Sequence, residues 1–147
     1  MRYRTLTSVE FIEEFHIRSL VCCFSAGKDS LVATHLVLSE LADVDIIKHV
    51  ILVDTTVFLP VSIAYAKDIA SRLGWPLSIL QPKEDFFTQA QRKGMPWQRR
   101  RWCCEGLKLQ PMRDFIRLLP YQRGAVTGLR RDESKKRSRL KQIRYDR

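Results

Sequence analysis

The strongest constraint on the fold is a short apolar run that stops at a polar, glycine-containing turn. Leu20-Val21-Cys22-Cys23-Phe24 has no polar alternation, which is the pattern of a strand buried on both faces. Ser25-Ala26-Gly27-Lys28-Asp29 follows at once, and Ser30 to about Leu41 reads as a helix with Leu31, Leu38 and Leu41 along one side. The same sequence of events recurs. His49-Val50-Ile51-Leu52-Val53 is a second buried strand ending at Asp54, and Pro60 to Leu73 predicts a helix with Pro60 in its first turn and Gly74 just past its end. Leu77 to Leu80 is a short strand, and Ala125 to Leu129 a further one.

The remaining segments read as helix or loop. Ser8 serves as N-cap of an amphipathic helix to about Arg18, with Glu10 in its first turn. Asp85 to Lys93 is helical and is broken by Gly94-Met95-Pro96. Cys104 to Leu119 carries Leu107, Met112, Phe115, Ile116 and Leu119 at helical spacing, with Pro111 marking a kink or a fresh start. Strands alternating with helices predict a three-layer α/β/α domain around a mostly parallel sheet. In such sheets ligands bind beyond the carboxyl ends of the strands. Three polar segments fall there: Ser25–Ser30, Asp54-Thr55-Thr56, and Gly128 to Ser134.

The first of these has a chemistry of its own. A buried strand, a turn containing Gly27 and a helix opening near Ser30 present free backbone N–H groups and the positive helix end to an anion. Lys28 adds a mobile charge, and the hydroxyls of Ser25 and Ser30 add donors. The common phosphate-binding loop is excluded, because Cys22 stands where GxxxxGK[ST] requires glycine. An ordinary strand-to-helix turn is the plain alternative.

Length and composition bound the rest. The 147 residues are expected to form one domain. No apolar run approaches the roughly 18 residues of a membrane span, and the acidic N-terminus does not resemble a secretory signal, so a cytoplasmic protein without membrane association is expected. The net charge of +10 is uneven: residues 1–90 hold 8 Lys/Arg and 11 Asp/Glu, residues 91–147 hold 18 and 5. The basic half points to an anionic partner, whether nucleotide, sulfate or nucleic acid, or else is a solvated face. The segment 130–147 has only Leu140 and Ile143 to bury and is expected to be mobile until an anion lies near it.

Four segments in fixed order carry a family resemblance. Ser25–Ser30 resembles the Ser-Gly-Gly-x-Asp-Ser pyrophosphate loop (PP-loop) of the adenine nucleotide α-hydrolase superfamily. Within it, Asp54 to Phe58 with Pro60, Arg101-Trp102-Cys103-Cys104 with Leu107-Lys108 and Pro111, and Thr127 to Ser134 with Arg137 resemble segments of the phosphoadenosine phosphosulfate (PAPS) reductase family. The resemblance implies an adenine nucleotide ligand: ATP, PAPS or its 3′-dephospho relative APS. Ser25, Ala26, Gly27, Lys28, Asp29, Ser30, Asp54, Gly128, Arg130, Arg131 and Arg137 are then the expected binding residues. Lys28, Arg130 and Arg131 are the expected catalytic ones, stabilising charge on the transferred group. Mg²⁺ would accompany ATP, and Asp54 either caps its own turn or contacts ribose or that metal.

Departures from the pattern are as informative. Ala26 and Thr56 occupy positions where the family has glycine, and Ala26 is expected to keep a negative φ. The family's reductases use a cysteine in a Glu-Cys-Gly segment, whereas no cysteine follows Cys104 in this sequence. Cys22 and Cys23 are expected in the core. Cys103 and Cys104, after Arg99-Arg100-Arg101, are candidate reactive thiols or metal ligands, but one chain does not supply the four cysteines of an iron–sulfur cluster. Trp97 and Trp102 are candidates for base stacking, Trp102 reading better as core. Three functions stay open: a PAPS-reductase-family enzyme, as a reductase with a thiol-donor protein or second subunit, or as an ATP-cleaving adenylation or thiolation enzyme; a modifier that binds tRNA or DNA; and a noncatalytic nucleotide-binding module.

Overall fold

The computed structural model describes residues 6–120, 122–133 and 137–139. Its elements are α1 (Ser8–Glu14), β1 (Ser19–Cys23), α2 (Lys28–Glu40), β2 (Ile47–Val53), α3 (Pro60–Arg72), β3 (Leu77–Leu80), α4 (Phe86–Lys93), a π-helical run (Cys104–Leu109), α5 (Gln110–Arg117) and β4 (Arg123–Thr127). The four strands form one sheet in the order β3-β2-β1-β4. Every pairing is parallel, so the expected mostly parallel sheet is wholly parallel among the described residues.

Side-chain alternation along the strands divides the layers. Leu20, Cys22 and Phe24 of the first strand and its exit, with Val50 and Leu52 of β2, pack with Ile12 of α1, Leu41 after α2, and Ala66 and Ala70 of α3. Val21, Cys23, His49, Ile51 and Val53 alternate to the other face, where Phe115 of α5 meets the His49 ring edge-on at 5.4 Å. Burying each of Leu20, Leu41, Ile51 and Leu52 contributes about 1.5–3 kcal/mol. Helices on both faces make the three layers, as expected from the alternation.

Several boundaries differ from the sequence reading, each for a local reason. The first helix is capped by Thr7 rather than Ser8: the Thr7 hydroxyl accepts from the Glu10 N–H while the Glu10 carboxylate accepts from the Thr7 N–H. It ends at Glu14, because His16 turns to φ 50° and the chain drops into β1. The second helix begins at Lys28, two residues before the predicted start, with Gly27 as N-cap. Pro111 is the second residue of α5, directly after the π-helical run, and the backbone stays helical through Leu109 and Gln110. It therefore marks an irregularity within one helical stretch, of the two readings the kink. The described part of the basic C-terminal segment forms short 3₁₀ turns at Arg131–Glu133 and Arg137–Arg139. Ser134, Leu140 and Ile143 lie outside the described residues, and so does the expectation of mobility where it rests on them. No helix among the described residues is long and apolar enough to cross a membrane.

Candidate functional site

The sheet order fixes where a ligand crevice opens. The helices that follow β1 and β2 lie on one face, while the return from β3 to β4 carries α5 on the other. The chain thus reverses its winding between β1 and β4, and the switch point of a parallel sheet is where ligands bind. The loops leaving those two strands are Phe24–Gly27 and Gly128–Arg130, both singled out in the sequence.

The loop after β1 is internally braced. The Ser30 hydroxyl, in the first turn of α2, donates to the Gly27 carbonyl at 2.9 Å and accepts from the Ser25 N–H at 3.1 Å. Its single proton is then committed, so the Ser25 hydroxyl donates to it across 3.0 Å. Both hydroxyls therefore hold the loop's shape, and the donors offered outward are backbone N–H groups and Lys28. Ala26 adopts φ 58°, against the expected negative φ. The left-handed conformation costs a non-glycine residue about 1–2 kcal/mol, offset in part because Ala26 packs against the core cluster. The N-terminus of α2 has no side-chain cap, like that of α3, whereas α1 and α4 are capped by Thr7 and Asp85. Lys28 is exposed and forms no ion pair among the described residues.

The loop after β4 is pressed onto this helix end. A Cβ built on Gly128 would lie 2.6 Å from the Asp29 carbonyl oxygen and 2.7 Å from the Ser30 Cα. Only glycine permits that approach, and close contact, not a special φ, is the reason. Two residues on, Arg130 Nε lies 3.3 Å from Asp29 Oδ2, with Asp132 and Glu133 at 3.8 and 3.7 Å. Glu133 also pairs with Arg137. Exposed pairs of this kind add little stability, but three carboxylates on the Nε side orient the guanidinium. The side chain of Arg131 lies outside what the structure describes.

The loop after β2 forms the third wall. Asp54 caps its own turn: Oδ1 accepts from the Thr56 N–H at 2.9 Å, and Oδ2 from the Gln81 side-chain amide at 3.0 Å. Thr56 sits at φ 66°, and its hydroxyl accepts from the Phe86 N–H at 2.8 Å, tying the turn to the start of α4. Between the ends of β1 and β2 a cleft opens, lined by Phe24, Ser25, Val53, Thr55, Phe58 and Met112, with Cys23 and Lys108 also on its wall. Its lining is chiefly apolar, suited to a flat base. Sequence reasoning did not find this cleft, nor the Gln81 bond. Phe58 and Lys108 stood in the resembling segments but carried no assigned role.

The cysteines divide differently from expectation. Cys22 is buried in the core, and burial pushes its thiol up to about 12. Cys23 is half-buried on the cleft wall rather than in the core; burial raises it to about 11, partly opposed by the Lys108 ammonium. Both are protonated at neutral pH. Cys103 and Cys104 are half-buried free thiols at the start of the π-helical run. Among the described residues no three His, Cys, Asp or Glu side chains group closely enough to hold a metal ion. Trp102 is anchored, donating to the Gly94 carbonyl at 3.0 Å and stacking on Phe86, whereas Trp97 is exposed.

Comparison with known proteins agrees with this fold. Two uncharacterized proteins of Methanocaldococcus jannaschii are 32% and 31% identical over 118 and 129 residues, covering 80% and 86% of this chain. The chain spans only about a quarter of their length, 27% and 26%. A crystal structure of phosphoadenylyl-sulfate (PAPS) reductase from Candida auris, in complex with phosphate, shares the fold with a TM-score of 0.50. That likeness has 15% sequence identity and covers 80% of this chain and 66% of the other. The family model of the phosphoadenosine phosphosulfate reductase domain matches residues 19–147, and the chain belongs to that family.

Proposed function

We propose that this domain binds an adenine nucleotide, ATP or a sulfated relative (APS or PAPS), across the carboxyl edge of its sheet, as part of an enzyme acting on the nucleotide's anionic tail. The observation that carries the reading is the docking of Gly128 on the uncapped start of α2, which sets Arg130 beside Asp29 at the switch point. Backbone donors of the first loop, the Lys28 ammonium and the Arg130 guanidinium then surround one volume where phosphate or sulfate is stabilised. The base lies in the apolar cleft between the ends of β1 and β2, against Phe24 and Phe58.

With ATP, attack on the α-phosphate releases pyrophosphate, and Lys28 and Arg130 neutralise the charge that builds on the departing phosphates. Arg137, which shares Glu133 with Arg130, extends the cationic side of the tail site, and the family resemblance adds Arg131 to the expected set. Mg²⁺ enters with the nucleotide, held mainly by its phosphates. With APS or PAPS the reaction is thiol-dependent reduction: two thiols of a donor protein or second subunit are oxidised to a disulfide, and sulfite and the nucleotide (AMP, or its 3′-phosphate from PAPS) are released. Cys22 and Cys23 are protonated too firmly to serve as that nucleophile. Calorimetric titration with ATP, APS, PAPS and AMP tests the reading. Tight binding of a triphosphate or sulfonucleotide, with AMP weaker by tenfold or more, is expected. Equal affinity for AMP would remove the loop and Arg130 from the tail site.

A further inference from the structure

A second charged surface lies outside the nucleotide site. After α4 ends at Gly94, the chain makes a tight turn in which the Trp97 N–H donates to the Arg100 carbonyl at 3.3 Å and the Arg100 N–H to the Trp97 carbonyl at 2.9 Å. Trp97 is 58% exposed and Met95 70%. Arg99, Arg100 and Arg101 are all exposed. Several arginines elsewhere are answered by acceptors: Arg72 by Asp68, Arg92 by Glu84, Arg113 by Glu105, Arg130 by Asp29, and Arg123 by the Ile116 and Leu119 carbonyls. These three consecutive arginines have no such partner among the described residues.

The turn stands on a firm base. Trp102 closes it by donating to the Gly94 carbonyl, stacks on Phe86 with centroids 5.6 Å apart, and carries Lys93 Nζ 5.3 Å over its ring. Phe86 in turn donates its N–H to Thr56. The exposed turn is thereby rooted on the loop at the end of β2, beside the nucleotide cleft. A large aromatic left in water costs hydrophobic free energy that its own chain does not recover, and beside three uncompensated guanidinium groups the missing cover is both flat and anionic.

The geometry points to a single-stranded nucleic acid as the occupant: an unpaired base stacks on Trp97, and the phosphates on either side pair with Arg99, Arg100 and Arg101. An unstacked base supplies the π-face that the indole lacks, and every phosphate offers the bidentate partner that suits arginine. A duplex keeps its bases stacked and leaves Trp97 uncovered. An acidic protein would satisfy the arginines without needing the indole. This inference does not rest on the identity of the nucleotide in the cleft.

Anisotropy titrations of the whole chain with labelled 12-mer oligo(U) and oligo(dT), across a series of NaCl concentrations, test it. Replacing Arg99, Arg100 and Arg101 together by Gln should reduce the slope of log affinity against log salt by about 2, from three lost contacts at about 0.7 each. Trp97→Ala should weaken binding roughly 5- to 150-fold with the slope kept. Both variants should retain the wild-type Tm, which shows that they are folded. A slope untouched by the triple replacement, or an affinity untouched by Trp97→Ala, would overturn the proposal. So would poly-glutamate binding as tightly as the oligonucleotides and independently of Trp97, which would assign the surface to an acidic protein instead.

Discussion

Replacing Gly128 by alanine tests the site at its narrowest point. The added methyl would sit 2.6 Å from the Asp29 carbonyl oxygen and within 2.8 Å of two further backbone atoms of Asp29 and Ser30. Carbon atoms pack at about 3.5–4.0 Å, so β4 and α2 must part by roughly 1 Å, and no side chain can rotate to spare them. Overpacking of this kind costs about 1–3 kcal/mol, which for a chain of this size lowers Tm by roughly 3–10 °C. The same separation draws Arg130 away from Asp29 and from the start of α2. If Arg130 makes a charged hydrogen bond to the tail, its loss is about 1.5–3 kcal/mol, or roughly 10- to 150-fold in ATP affinity. Thermal unfolding and ATP titration of the purified variant read both effects. Gly74→Ala is the control, since its Cβ meets nothing within 4 Å and only the φ of 64° is strained; it should cost stability without touching affinity. Gly128→Ala with unchanged Tm and unchanged ATP affinity would refute the docking of the two loops as the basis of the site.

Three further outcomes are expected. Lys28→Ala should weaken ATP binding by about 1.5–3 kcal/mol with an unaltered Tm, because the side chain is exposed and makes no ion pair among the described residues; calorimetry checks it. Thr56→Ala should destabilise by about 0.5–1.5 kcal/mol through the lost bond to the Phe86 N–H, and Thr56→Gly should be about 0.5–1 kcal/mol more stable than Thr56→Ala, since it loses the same bond but relieves the left-handed φ. Alkaline stability should reflect Cys22: its thiol is raised from 9.0 to about 12, so the unfolded chain releases a proton that the folded one keeps, and stability is complete below pH 9 and falls as pH rises from there toward 12. Cys22→Val, compared with wild type by denaturant unfolding, should remove about 1.4 kcal/mol per pH unit of that decline.

The sheet and its order of events were legible in the sequence because buried parallel strands leave a strong mark. The predicted Leu77–Leu80 strand agrees with β3 residue for residue, and the helix from Pro60 was placed within one residue. Caps were less legible, since Thr7 and Ser8 are both good capping residues and only the reach of Glu10 decides between them. At the site, the residue list could be written from the resemblance, but not what each side chain does. Ser30 reads as a ligand contact and Asp54 as either a turn cap or a contact, and in the structure both make bonds within the loops. That distinction depends on atoms far apart in sequence, such as Gln81 for Asp54. Cys23 reads as core because its neighbours are apolar, yet the last strand residue on the α5 face looks into the cleft.

Ala26 and Thr56 stand in the turns that end β1 and β2, at positions where the resembled family has glycine, and both hold left-handed φ values of 58° and 66°. A side chain there carries a cost of about 1–2 kcal/mol each, so the turn geometry is retained although the residue best suited to it is not. The two sites recover the cost by different means. Ala26 directs its methyl into the core cluster, while Thr56 accepts the Phe86 N–H and so couples the β2 turn to α4. Strained backbone persists only where surrounding contacts over-determine it, and here those contacts come from the core cluster and from the start of α4. The ends of β1 and β2 are therefore fixed in shape before any ligand arrives. The Gly128 contact fixes the end of β4 in the same way. A nucleotide bound on this edge, as proposed, would meet turns already braced by the Ser30, Thr56 and Gly128 contacts, and less of its binding free energy would go into ordering them.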